Sequence, residues 1–234
     1  MAPSATSTTH VPIAEPAPTT PTVDARRRRM SGLLLVTGAP VIIASFLTNP
    51  VAETSTERLR AASRHATATE VSILLGAAGI LLLIPGLAGL ARALRVRSPR
   101  LAGSGVAITL AAFVCLLANF GVYAVYLELA KAHVSTGASI ALIDRMESGS
   151  LAFGILFGIF ILGHLIGPIL LGIALARTHF VPLWAALLLP VGSLGHFLSH
   201  AINSRPLDVV SFLALALGFA VAGVKMITTP TTAD

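Results

Sequence analysis

Three histidines inside long uncharged stretches are the residues best equipped for chemistry. His196 and His200 stand four residues apart, so a helix presents both imidazoles on one face. That spacing suits a zinc ion, and His164, from the preceding apolar stretch, supplies a third ligand. Three neutral imidazoles leave one zinc position open for water, whose pKa then falls toward ~7. Glu70 and Glu128 are the carboxylates placed to act as general base. His164 and His196 also suggest a bis-histidine haem, provided their helices splay enough to ligate opposite sides of the macrocycle.

Polar neighbours extend this set. At 100° per residue, His196, Ser199, His200 and Asn203 share an arc of roughly 100°, with Ser193 beside it. Asn119, Tyr123 and Tyr126 form a second stripe at spacings of four and three. A simpler role exists for each. Histidine, serine and asparagine within a span commonly hydrogen-bond to a neighbouring helix, and tyrosines near a span end fit the interfacial aromatic belt.

The elements that must position these residues follow from the charge distribution. Hydrophobic side chains make up 55% of the 234 residues and charged ones 11%, against roughly 25% charged in ordinary globular chains. That balance excludes a soluble enzyme and a nucleic-acid reader. One cysteine, Cys115, excludes an internal disulfide and a multi-thiolate metal site. Charge-free intervals occupy 30–52, 71–91, 101–127, 148–176, 178–204 and 209–224. About 20 residues of helix cross ~30 Å of hydrocarbon. Five intervals are long enough, and the sixth reaches that length if Asp208 and Lys225 snorkel at its ends. None alternates as a barrel strand would.

The expected architecture is therefore all-α: a polytopic bundle of six transmembrane helices. Its spans fall near 31–50, 69–91, 101–127, 150–176, 182–203 and 207–226. Residues 1–29 form a disordered tail ending in the Arg26–Arg29 run, 30–228 the membrane domain, and 229–234 a second tail. With the amino terminus in the cytoplasm, ten of the sixteen basic residues lie inside, so both termini are assigned there. The charge of +6 thus describes orientation, and no basic stripe with interleaved aromatics suggests nucleic acid. The Arg run followed by an apolar segment reads as a retained anchor. Segment 53–69 reads as a short interfacial helix, and 132–147 as an outer loop whose His133, Asp144 and Glu147 could form a lid or second metal site.

Counting outward from the turn at residues 178–181 puts His164 and His196 within ~1.5 Å of the same depth. Helix four carries Gly154-x-x-x-Gly158 and Gly163-x-x-x-Gly167, which allow close packing within one chain or between copies of a homo-oligomer.

Two resemblances extend this reading. A His-x-x-x-His pair with a third histidine is similar to the membrane-embedded zinc hydrolases of the ceramidase and adiponectin-receptor type, which implies a lipid-like or isoprenoid substrate. Those families have seven spans and a partnering Asp and Ser, whereas no Asp of this chain reads as buried. Over roughly residues 30–228 the chain resembles small six-span bacterial membrane proteins grouped under a domain of unknown function. The resemblance rests on Gly32–Leu35, Leu81–Arg92, Gly167–Arg177 and Val181–Ala186. It implies a bacterial inner (plasma) membrane location and no particular chemistry.

The resulting expectation is an inner-membrane protein in contact with lipid. It has a small outward-facing polar pocket between spans three, four and five, and no complete catalytic set. A His-ligated zinc hydrolase, a haem protein and a small-solute permease are the alternatives. Against transport, no span carries a fixed charge near its centre.

Overall fold

A computed structural model of the chain describes residues 21–50, 54–132 and 136–229. Among the described residues there is no strand, and six helices are long and apolar enough to cross a membrane. In chain order the helices are α1 (Pro21–Thr48), α2 (Ser55–Arg64), α3 (Ala66–Leu94) and α4 (Pro99–Lys131). They continue with α5 (Thr136–Gly149), α6 (Leu151–Arg177), α7 (Leu183–Ala201) and α8 (Arg205–Thr228). All except α2 and α5 are spans. Each span buries only 33–44% of its most apolar window, so the rest of that apolar surface needs lipid, not water, as its solvent. Leu81, Trp184 and Val191 are among the side chains on this outer surface. The protein is a multi-pass membrane protein.

The spans close into a ring. α1 packs on α3, α3 on α4, α4 on α6, α6 on α7, α7 on α8, and α8 returns to α1. Leu35, Leu87, Leu171, Leu189 and Phe219 belong to the continuous apolar core that results. Small residues set the close approaches. A methyl group added at Gly167 would lie 2.8 Å from the backbone nitrogen of Thr109, and one at Gly163 would lie 2.9 Å from the carbonyl of Ile108. The α4–α6 contact therefore uses the second Gly-x-x-x-Gly pair. Gly154 and Gly158 of the first pair have open space beside them.

Several expected boundaries shift. α1 starts at Pro21, so the Arg26–Arg29 run is helical and not part of a tail; residues 1–20 lie outside the described residues. Arg28 donates to the carbonyl of Thr229, which joins the start of the first span to the end of the last. α8 has 24 residues because its helix begins at Arg205, and no snorkelling is needed to complete it. Asp208 turns inward and is buried.

The end opposite the termini carries a two-helix cap. A reciprocal pair of bonds between Thr54 and Glu57 starts α2 as a capping box. Its Leu59 and Ala62 bury against Tyr126 of α4 and Ile143 of α5. The segment read as an outer loop is thus largely helix α5; His133 lies outside the described residues.

Candidate functional site: a histidine–aspartate cluster at α6, α7 and α8

The short turn between α7 and α8 builds the cluster. Asn203 occupies it with φ of 52°, a left-handed conformation that asparagine tolerates better than most residues. Asn203 therefore serves the turn and is exposed, not part of a lining stripe. Ser204 caps α8, and the first turn carries Asp208 back toward α7.

There Oδ1 of Asp208 meets Nδ1 of His196 at 2.6 Å. Ser199 Oγ is 3.0 Å from the same carboxylate oxygen and 2.6 Å from the carbonyl of His196, and its single proton serves one of the two at a time. His196 and Asp208 are both largely buried, while His200 is exposed at the edge. The ring of His200 lies 4.7 Å from that of His196, nearly perpendicular to it. One donor atom each from His196, His200 and Asp208 can be chosen so that all three lie within 4.8 Å of one another.

His164 stands beside this set and outside it. The rings of His164 and His196 are 4.9 Å apart, so the two level histidines do meet across α6 and α7. The donors of His164 do not complete a three-membered set with the other histidines. Ser193 joins the same two helices: its Oγ donates to the carbonyls of His164 at 2.6 Å and Leu165 at 3.1 Å. Both ring nitrogens of His164 are buried with no hydrogen-bond partner. Phe212 of α8 closes the wall, its ring centre 4.5 Å from that of His196 and 4.6 Å from that of Phe46 of α1, to which it is tilted by 37°. Arg205 lies 4.0 Å over the Phe46 ring and donates to its carbonyl, anchoring the start of α8 to α1.

The other residues singled out in the sequence lie elsewhere. Tyr126 is buried beneath the cap, with its hydroxyl donating to Glu147 at 2.5 Å. Arg58 donates to the same carboxylate oxygen at 3.2 Å. Burial works against the Arg58 charge, but Tyr123, Tyr126 and Glu147 outweigh it and raise its pKa above the ordinary value. Tyr123 and Tyr126 line a small cavity there with Arg58, Asn49 and Thr69. Asn119 is half-buried on the same helix. Because α4 packs on α3 and α6 while α7 packs on α6 and α8, the two polar stripes sit on helices that are not neighbours in the ring. The structure divides the expected single pocket into two places.

Glu70 and Glu128 are also away from the histidines. Both are exposed and pair with Lys131, at 3.9 and 3.2 Å. The carboxylate of the histidine cluster is Asp208, which the sequence had placed among the outer charges. A cation held by His196, His200 and Asp208 suits borderline metals such as zinc, which take imidazole nitrogen and carboxylate oxygen together. The same aspartate can instead orient His196 through Nδ1 and leave Nε2 to act as base or ligand.

No family model matches the chain, and neither a curated protein nor a solved structure matches it.

Proposed function

We propose that the protein binds a zinc-like divalent cation at His196, His200 and Asp208, near the outward end of a six-span bundle in a bacterial inner membrane. The observation that carries this reading is the convergence of two imidazoles and a carboxylate to within 4.8 Å, at the end of otherwise apolar spans. Ionisable groups so placed are costly, and function is the usual reason to retain them. The 2.6 Å separation of Nδ1 and Oδ1 is shorter than the ~3.3 Å edge of a tetrahedral site with ~2.0 Å bonds. A cation bound by both atoms therefore takes the place of the shared proton and widens the pair. Three protein ligands leave one tetrahedral position for water.

A second reading is a membrane hydrolase acting on a lipid-like molecule. It is favoured by the Asp208–Ser199 contact beside the histidines, since a partnering Asp and Ser are what the resemblance to ceramidase-type enzymes asks for. The cation is tested first. Detergent-purified protein, loaded with zinc and desalted, is expected to retain close to one equivalent, and the His196→Ala/His200→Ala pair less than a tenth. Equal retention by both proteins would remove the site. The inner-membrane orientation, with both termini cytoplasmic, rests on the ten-to-six distribution of basic residues and on the Arg26–Arg29 run.

A further inference from the structure

Cations crowd the end of the bundle opposite the histidine cluster, where α1, α3 and α8 come together. A methyl group added at Gly89 of α3 would run into Ser31 of α1, and one at Gly223 of α8 would lie 2.6 Å from the carbonyl of Gly32. Arg26–Arg29 of α1, Arg92 and Arg95 at the end of α3, and Lys225 of α8 all lie two to six residues beyond these contacts. At ~1.5 Å per residue the seven occupy one slab ~6 Å thick. Among the described residues of these three helices, the acid at this end is Asp24, in the first turn of α1.

One of the seven is used within the fold: Arg28 donates to the carbonyl of Thr229. The other six are exposed, and none forms an ion pair among the described residues. The slab is thinner than the Debye length of ~8 Å at physiological salt, so these charges repel one another and act together on whatever lies beside them. The rest of this end is less charged. There α4 and α6 carry Arg100, Arg177 and Arg97, which follows α3 and donates to the carbonyl of Thr178.

Apolar side chains continue from the cluster along the lipid-facing surface: Met30 and Leu33 of α1 and Val224 of α8 are exposed. The matching ligand joins an anionic head to hydrocarbon. Guanidinium groups bind phosphate through paired N–H bonds. Phosphatidylcholine offers the same phosphate but brings a cation of its own to the cluster, whereas a head group of net negative charge does not. We propose that the α1–α3–α8 face holds anionic phospholipids. Their phosphodiester head groups lie among Arg26, Arg27, Arg29, Arg92 and Lys225, and their chains on the adjoining apolar surface. The site is independent of a cation at His196, His200 and Asp208, and of which side of the membrane this end faces.

The test is tryptophan quenching by brominated lipid. Trp184, the single tryptophan of the chain, is exposed at the start of α7, at the same end but outside the three-helix group. Trp184→Phe/Met30→Trp moves the probe beside the cluster, at an equally exposed position. Each full-length protein is placed in phosphatidylcholine vesicles, with one-fifth of the lipid replaced by phosphatidylglycerol or phosphatidylcholine brominated high on its chains. The ratio of quenching by the anionic lipid to quenching by the zwitterionic one is expected to be at least twofold larger at position 30 than at Trp184. Adding Arg26→Gln/Arg27→Gln/Arg29→Gln should at least halve the ratio at position 30, and Arg100→Gln/Arg177→Gln should leave it nearly unchanged. Equal ratios at the two probes, or equal losses from the two sets of variants, would overturn the proposal in favour of diffuse attraction to the whole charged end. Loss of the preference on adding millimolar glycerol phosphate at constant ionic strength would also overturn it, because a soluble phosphate would then be the occupant. The comparison of probes needs no arginine variant, so it decides the matter even if the glutamine protein fails to fold.

Discussion

Nδ1 of His196 and Oδ1 of Asp208 are 2.6 Å apart across a turn of three residues, Ile202–Ser204, and both side chains are largely buried. A carboxylate so placed loses its hydration and regains it only through His196 and Ser199. The α7–α8 hairpin is thereby locked in register at the point where the ring must carry an ionisable group.

Removing that lock is expected to weaken the fold as well as the site. Hydrogen bonds to charged groups contribute about 1.5–3 kcal/mol, so Asp208→Ala should lower stability in detergent by about that much. Ser199→Ala should cost about 1 kcal/mol. Unfolding titrations of the metal-free protein measure both. An Asp208→Ala variant as stable as the parent would show that the pair contributes nothing to the hairpin.

Cation binding should be lost in acid. Imidazole binds a metal only when neutral and a carboxylate only when ionised, so protons compete with zinc for the three ligands. Zinc retention is expected to be full near neutral pH and to fall as the solution is made acidic. A competition titration against a zinc chelator across this range reads the effect. Affinity independent of pH would argue against this ligand set.

The two glycine pairs of α6 should respond oppositely to bulk. Gly167→Leu drives a side chain into the backbone of Thr109 and is expected to destabilise by more than about 3 kcal/mol or to prevent folding. Gly158→Leu meets open space and should change stability by less than about 1 kcal/mol. Yields of monodisperse protein and melting temperatures distinguish the two. If Gly158 instead packs on a second copy, its leucine variant will shift the oligomeric state while leaving the monomer stable.

Orientation can be read directly. Cysteine introduced at Arg95 should be labelled by a membrane-impermeant maleimide only after the cells are opened. Cysteine at Arg145, in the α5 cap, should be labelled in intact cells. The reverse pattern would turn the cluster toward the cytoplasm.

Much of this architecture was legible in the chain because solvent dictates it. Charge-free runs of helix length located all six spans, since hydrocarbon tolerates little else. Counting residues from the α6–α7 turn also brought His164 and His196 together. Asp208 escaped the same reasoning because its charge suggested a water-exposed loop. Yet His196 lies five residues before Ala201 and Asp208 three after Arg205, so the same count across the α7–α8 turn places them within one helical turn of each other. The partner of Tyr126 was not legible for a different reason. That partner, Glu147, belongs to a helix with no apolar run to mark it, and the cap forms only when α2 and α5 fold over the bundle. Such non-local contacts leave little trace in periodicity.

The closure of α8 against α1 has a consequence for biogenesis. A chain threaded into the membrane from its amino terminus presents the inner face of α1 long before its second neighbour exists. Gly32, whose carbonyl lies against Gly223, must wait through four further spans for that contact. The ring is therefore completed only when the sixth span, α8, has been made, and that span also brings Asp208. Completion of the ring of helices and delivery of Asp208 are one event, so a chain stalled before α8 inserts without the His196–Asp208 pair.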